Sequence, residues 1–174
     1  MAYSFMFYAR ATLTSAFLAF GLSAADAGPL AVPQGEVILT VTGNIHATNA
    51  GDTAQFDLAM LQDIDGTEIA TTTIWTDGVQ RFKGVSLLEL VNVLGVSTGT
   101  LLASAINDYT VSIPVTDAVK GGPIIAYLLD GNTMSVRGKG PLWVIYPYDQ
   151  KAEYRSEVTY TRSIWQLDRI EVSD

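Results

Sequence analysis

The sequence predicts an α+β domain with a mixed β-sheet and short helices. Two observations carry that prediction. Segments that alternate every second residue, or are apolar throughout, outnumber helical ones. The helical patterns are also short and do not alternate regularly with strands, as a doubly wound parallel fold requires.

Taken in order, EVILTVTGNI (36–45) sets Val37, Leu39 and Val41 on one face and reads as a strand ended by Gly43-Asn44. FDLAMLQDIDG (56–66) reads as a short helix with Asp57 as N-cap and Gly66 near its end. FKGVSLLELVNVLG (82–95) carries the clearest local signal. Ser86 and Glu89 have capping-box spacing, Leu87, Leu88, Val91 and Leu94 form an apolar face, and Gly95 stops the helix. DYTVSIPV (108–115) alternates as a strand, and GPIIAYLLDGNTMSV (122–136) is a strand running into an Asp130-Gly131 turn. PLWVIYP (141–147) is apolar on both faces, as a central buried strand should be, and SIWQLDRIEV (163–172) closes the chain as another strand.

The first 27 residues have the layout of a secretory leader. Arg10 precedes an apolar stretch from Ala11 to Ala24, and Ala25-Asp26-Ala27 offers a small-x-small cleavage pattern. The stretch is shorter than the roughly 20 residues a bilayer span needs. Cleavage would leave one domain over 28–174, delivered to the periplasm. No Arg-Arg pair precedes the apolar stretch, so export of an unfolded chain is expected and any ligand would be acquired outside the cytoplasm.

Composition removes several function classes. The chain has no cysteine, which excludes disulfides, thiolate metal ligands and a cysteine nucleophile. Stability must then come from the core, for which 48% apolar residues suffice. A net charge of −8, unchanged without Arg10 and Asp26, disfavours nucleic acid as a partner. The cations are nonetheless uneven: Arg137, Lys139, Lys151, Arg155, Arg162 and Arg169 all follow Val136, a distribution compatible with a small anion. Catalytic groups are scarce. His46 is the only histidine and sits beside a turn, Asp63 and Asp65 read as loop residues, and the nucleophile-elbow, zinc-protease, phosphate-loop and EF-hand patterns are missing.

Binding groups are better supplied. Trp75, Tyr109, Trp143, Tyr146, Tyr148, Tyr160 and Trp165 offer flat faces, with Arg137, Lys139, Arg155 and Arg162 as donors. Such a set suits a planar heterocycle: stacking fixes its plane, guanidinium groups read its edge or a phosphate, and Gly138 and Gly140 would let backbone N–H groups approach an anion. Trp143 and Tyr146 lie in the apolar run and Trp165 alternates with Leu167, which assigns all three to the core. Lys151 and Arg155 suit a solvated loop as well as a ligand, so on residue types alone a ligand site and its absence both stand.

The order of segments resembles the molybdopterin-binding domain of the sulfite-oxidase family. The matching pieces are VTGNI, a tryptophan before FKGVSLLELVNVLG, NDYTVSIPV, AYLLDGNTM, GPLWVIYP and RSIWQLDRIEV, spanning about residues 36 to 172. That resemblance implies a sulfite-oxidase-like fold. The family's enzymes hold molybdenum on a cysteine four residues before this tryptophan, where ATTTIW has Thr71. A hydroxyl protonated near neutral pH is a poor substitute for a thiolate, so no molybdenum is expected. Small secreted relatives without the cysteine look like non-catalytic pterin-binding proteins that signal to membrane receptors controlling cyclic-di-GMP.

The resemblance therefore implies a reduced or molybdopterin-like pterin as ligand. Its implied partner is the periplasmic domain of a membrane diguanylate cyclase, phosphodiesterase or sensor kinase. Trp75 and Tyr148 are the expected ring contacts, Arg137, Lys139 and Arg162 the edge or anion contacts, and Asn107, Tyr109 and Asp149 complete the hydrogen bonding. The alternatives are a periplasmic molybdopterin-dependent oxidoreductase with an atypical metal site and a partner-binding module whose pocket has closed.

Overall fold

A computed structural model describes Met1 and residues 30–174. The expected leader, residues 1–27, lies outside the described residues apart from Met1. The chain order is β1 (Val37–Gly43), β2 (Ala54–Asp57), α1 (Leu58–Asp63), β3 (Gly66–Thr73), β4 (Thr76–Ser86), α2 (Leu87–Leu94), β5 (Thr100–Ala105), β6 (Thr110–Pro114), β7 (Ile124–Leu129), β8 (Asn132–Thr133), β9 (Leu142–Ile145), α3 (Glu157–Arg162) and β10 (Trp165–Ser173).

The strands form one sheet with the order β2-β1-β10-β9-β7-β4-β3; β5 and β6 extend from β10, and β8 pairs with β7. The β1–β10 pairing is parallel and the other strand pairings are antiparallel. The sheet is mixed and the helices are short, so the class is α+β. No helix among the described residues is long and apolar enough to cross a membrane.

Local chemistry explains the boundaries. Asp57 caps α1 by accepting from the Met60 N–H at 2.9 Å, and it also accepts from the Gln34 and Gly35 N–H groups. These backbone donors, Met60 first, hold its carboxyl below the usual carboxylate range. Gly66 opens β3 rather than ending α1. At residues 82–86 the chain is still β4, not helix, and β7 packs so closely that a Cβ on Gly84 would collide with the Ile125 carbonyl. Helix α2 begins only at Leu87.

The capping box is not made: Ser86 occupies the N-cap position without a side-chain hydrogen bond, being also the last residue of β4, paired with Ile124. The buried face of α2 is Leu87, Leu90, Val91 and Leu94; Leu88 is half-buried. Gly95 ends the helix at φ 71°, its N–H reaching the Asn92 and Val91 carbonyls. The Asp130-Gly131 turn has positive φ at both residues, 47° and 80°, as a tight hairpin turn requires.

Strand β9 is buried throughout, as its uniform apolarity predicts. Trp143, Tyr127, Tyr146, Tyr148, Phe56 and Phe82 are the bulkiest fully buried side chains or nearly so. Their polar atoms are used where the core demands it: the Trp143 indole N–H donates to the Ser163 carbonyl at 3.1 Å and the Tyr146 hydroxyl to Asp117 at 2.7 Å. Trp165 departs from expectation. Alternation with Leu167 places it in the core, yet it is 37% exposed while Leu167 is fully buried. Gln166 between them has φ 55° and the register of β10 shifts there, so a bulge turns the indole outward.

Candidate functional site

Four segments converge on a cavity of about 630 Å³. The tight β3–β4 turn presents Ile74 and Trp75, and it is fastened by hydroxyls: Thr73 and Thr76 share a 2.8 Å hydrogen bond, and the Trp75 N–H donates to Thr73 Oγ1. The β5–β6 loop presents Asn107 and Tyr109 around Asp108, which has φ 67°. Helix α3, started by Ser156 accepting from the Thr159 N–H, presents Glu157, Tyr160 and Thr161. The bulged start of β10 presents Trp165 and Gln166.

Aromatic rings make the walls. Trp75 meets Tyr160 edge to face, with centroids 5.8 Å apart at 85°, and meets Trp165 at 5.8 Å and 73°. It also touches buried Trp143 at 5.8 Å and Tyr148 at 6.3 Å, so the lining ring is braced from behind by the core. Trp75, Tyr160 and Trp165 thus form one edge-to-face aromatic cluster on the cavity wall, a surface against which a planar ligand can pack.

Of the expected site residues, the structure brings Trp75, Asn107 and Tyr109 together in this lining. Tyr148 is buried behind Trp75, its hydroxyl donating to Ser163 Oγ at 2.6 Å, and burial first of all pushes its pKa up to about 12. It supports the wall without reaching the cavity. Arg162 is half-buried and committed to Asp117 at 2.8 Å, outside the lining. Asp149 accepts from the Thr72 N–H and hydroxyl at 2.6 and 2.8 Å, which holds its carboxyl below the usual range. It therefore clamps the end of β3.

The stretch around residue 138 also differs from expectation. The Gly138 and Gly140 N–H groups both donate to the Ser135 carbonyl at 2.8 Å, so the turn uses them itself. Arg137 is exposed on that turn and lies outside the lining. Lys139, at φ 74°, places its ammonium 4.7 Å from the Trp165 ring centroid, a cation–π contact on a wall residue. Tyr160 and Trp165, offered by the sequence only as flat faces, also line the cavity, and Glu157 and Gln166 are among the lining residues that the sequence did not single out. The only hint of α3 was Ser156 ahead of Glu157, and six residues are too few for a helical period.

The position corresponding to a metal-ligating cysteine does not fit a metal. Thr71 is fully buried, its hydroxyl donating to the Thr72 carbonyl and accepting from the Asp149 N–H, both at 3.2 Å. Among the described residues, no three His, Cys, Asp or Glu side chains cluster to hold an ion. The aromatic recess, by contrast, fits a planar organic group.

No protein-family model and no curated protein matches the chain. Among solved structures it is similar to the sulfane dehydrogenase SoxCD from Paracoccus pantotrophus, with a TM-score of 0.60 at 15% sequence identity. The likeness covers 84% of this chain and 40% of that one, so the chain spans well under half of its structural neighbour. At that identity the shared property is the fold.

Proposed function

We propose that this chain is a secreted, non-catalytic pterin-binding protein on a sulfite-oxidase-like fold. The observation that carries this reading is the recess walled by Trp75, Tyr160 and Trp165 at near-right angles, with Asn107 and Gln166 at hand for the edges of a ring. The segment order that resembles the sulfite-oxidase family and the fold shared with SoxCD both support it. Stacking supplies affinity without a metal, and Thr71, bonded on both sides, supplies none of the thiolate chemistry that an oxidoreductase of that family needs.

In this reading the chain works in the periplasm and reports occupancy to a membrane receptor controlling cyclic-di-GMP. Signalling requires that the loaded and empty forms differ in affinity for that receptor. Three of the four wall segments are a turn, a loop and a short helix, elements that can adjust against the β10 wall without disturbing the sheet.

Calorimetry of the purified protein with 6,7-dimethyltetrahydropterin under anaerobic conditions tests the reading, with saturable one-site binding expected. The absence of both binding heat and a thermal shift at millimolar ligand would overturn it. The fold shared with a dehydrogenase also favours a second reading, an oxidoreductase with an atypical metal site. Stoichiometric molybdenum in protein purified from its own periplasm would decide for that one.

A further inference from the structure

The polar groups of the cavity wall are unequally spent. Gln166 donates its amide N–H to the Val136 carbonyl, Thr161 donates its hydroxyl to the Glu157 carbonyl, and Ser163 Oγ donates to Thr159 while accepting from Tyr148. What remains without a protein partner among the described residues includes donors, among them the Asn107 side-chain N–H groups and the Trp75 and Trp165 indole N–H groups, and also acceptors. Chief among the acceptors is the Glu157 carboxylate, the one carboxylate in the lining, which has no hydrogen-bond or ion-pair partner among the described residues. No Lys or Arg belongs to the lining.

From this we infer that Glu157 is the specificity-determining residue of the site, selecting ring systems that present two adjacent N–H donors. The inference rests on the pterin-binding reading and narrows it. The 2-amino-4-oxopyrimidine edge of a pterin carries the N3–H and an amino N–H side by side. A carboxylate can accept both in a fork, as it accepts two parallel N–H bonds from a guanidinium. A 2,4-dioxo ring of the same outline, a lumazine, puts a carbonyl where the amino group was. Against Glu157 that carbonyl is an acceptor facing an acceptor, so one hydrogen bond becomes a repulsion. Shape and stacking barely distinguish the two rings, so discrimination falls to the carboxylate.

The test measures binding of 6,7-dimethyltetrahydropterin and of the matching tetrahydrolumazine to the wild type and to Glu157→Gln. Glu157 is exposed, so the variant keeps its fold, which its melting temperature checks. The wild type is expected to prefer the pterin by about ten- to a hundredfold, the worth of one charge-assisted hydrogen bond. Glu157→Gln is expected to weaken the pterin and narrow the preference, because the new amide can donate to the lumazine carbonyl. Equal binding of both rings by the wild type, or a variant with unaltered preference, overturns the inference and leaves pterin binding standing. Binding of neither ring removes both.

Discussion

Arg162 donates to Asp117 at 2.8 Å, and the carboxylate oxygen that receives it also accepts the Tyr146 hydroxyl at 2.7 Å. A cation expected to meet a ligand is thus a brace between the end of α3 and the turn after β6. Both side chains are largely shielded, at 27% and 19% exposure, which favours the pair over one on the open surface.

Arg162→Met is therefore expected to lower stability by about 1–2 kcal/mol, the loss of a hydrogen bond to a charged group that keeps one other partner. Pterin affinity should stay within about twofold. Urea denaturation and calorimetry on the same variant separate the two; a large loss of affinity at unchanged stability would return Arg162 to the site.

Trp75 and Trp165 line the cavity, whereas Trp143 is fully buried. A pterin that stacks there should quench indole emission from the first two only. Trp75→Phe keeps a ring but loses part of its face, so affinity should fall by about three- to tenfold and the quench should shrink. An undiminished quench in both Trp75→Phe and Trp165→Phe would place the ligand elsewhere.

At high pH the buried phenols decide the outcome. Burial raises Tyr148 from its ordinary value of 10.0 to about 12, and Tyr146 moves in the same direction. A raised folded-state value means the contribution is fully present below pH 10 and is lost as pH climbs through the folded value. Between pH 10 and 12 the unfolded chain has released the Tyr148 proton and the folded chain has not. Stability should then fall by about 1.4 kcal/mol per pH unit for each such tyrosine. Tyr148→Phe should flatten that slope by one proton, as denaturant titrations across this range would show.

Acid acts through the opposite sign. Asp149 is lowered chiefly by the Thr72 N–H, so its contribution is present above the ordinary value of 3.8 and is lost as pH falls through the lower folded value. Asp149→Asn should melt below the wild type at pH 6, with the gap closing as pH drops below 3.8. A gap that persists unchanged into acid would mean the clamp on Thr72 owes nothing to charge.

Strong local patterns were legible in the sequence. The uniform apolarity of β9, the Asp130-Gly131 turn and the Gly95 stop each depend on near neighbours, and each appears where the pattern places it. Of the candidate cavity, the sequence singled out Trp75, Asn107 and Tyr109. Charge misled most. Arg162 and Asp149 have the chemistry of ligand contacts, but Asp117 and Thr72, 45 and 77 residues away in sequence, consume them. Trp165 was hidden by its own alternation, since nothing local announces a bulge at Gln166. Likewise the polar surface of 156–162 concealed a helix whose Tyr160 forms a wall.

The parallel match of Thr40 with Arg169 has a consequence for biogenesis. Strand β10 is the seam to which β1, β5 and β9 are all stitched, and it follows all three along the chain. Earlier hairpins can nucleate, but the middle of the sheet stays missing until residue 173 emerges, and contacts so distant along the chain close slowly. A nascent polypeptide halted at residue 164 should therefore remain open to proteases.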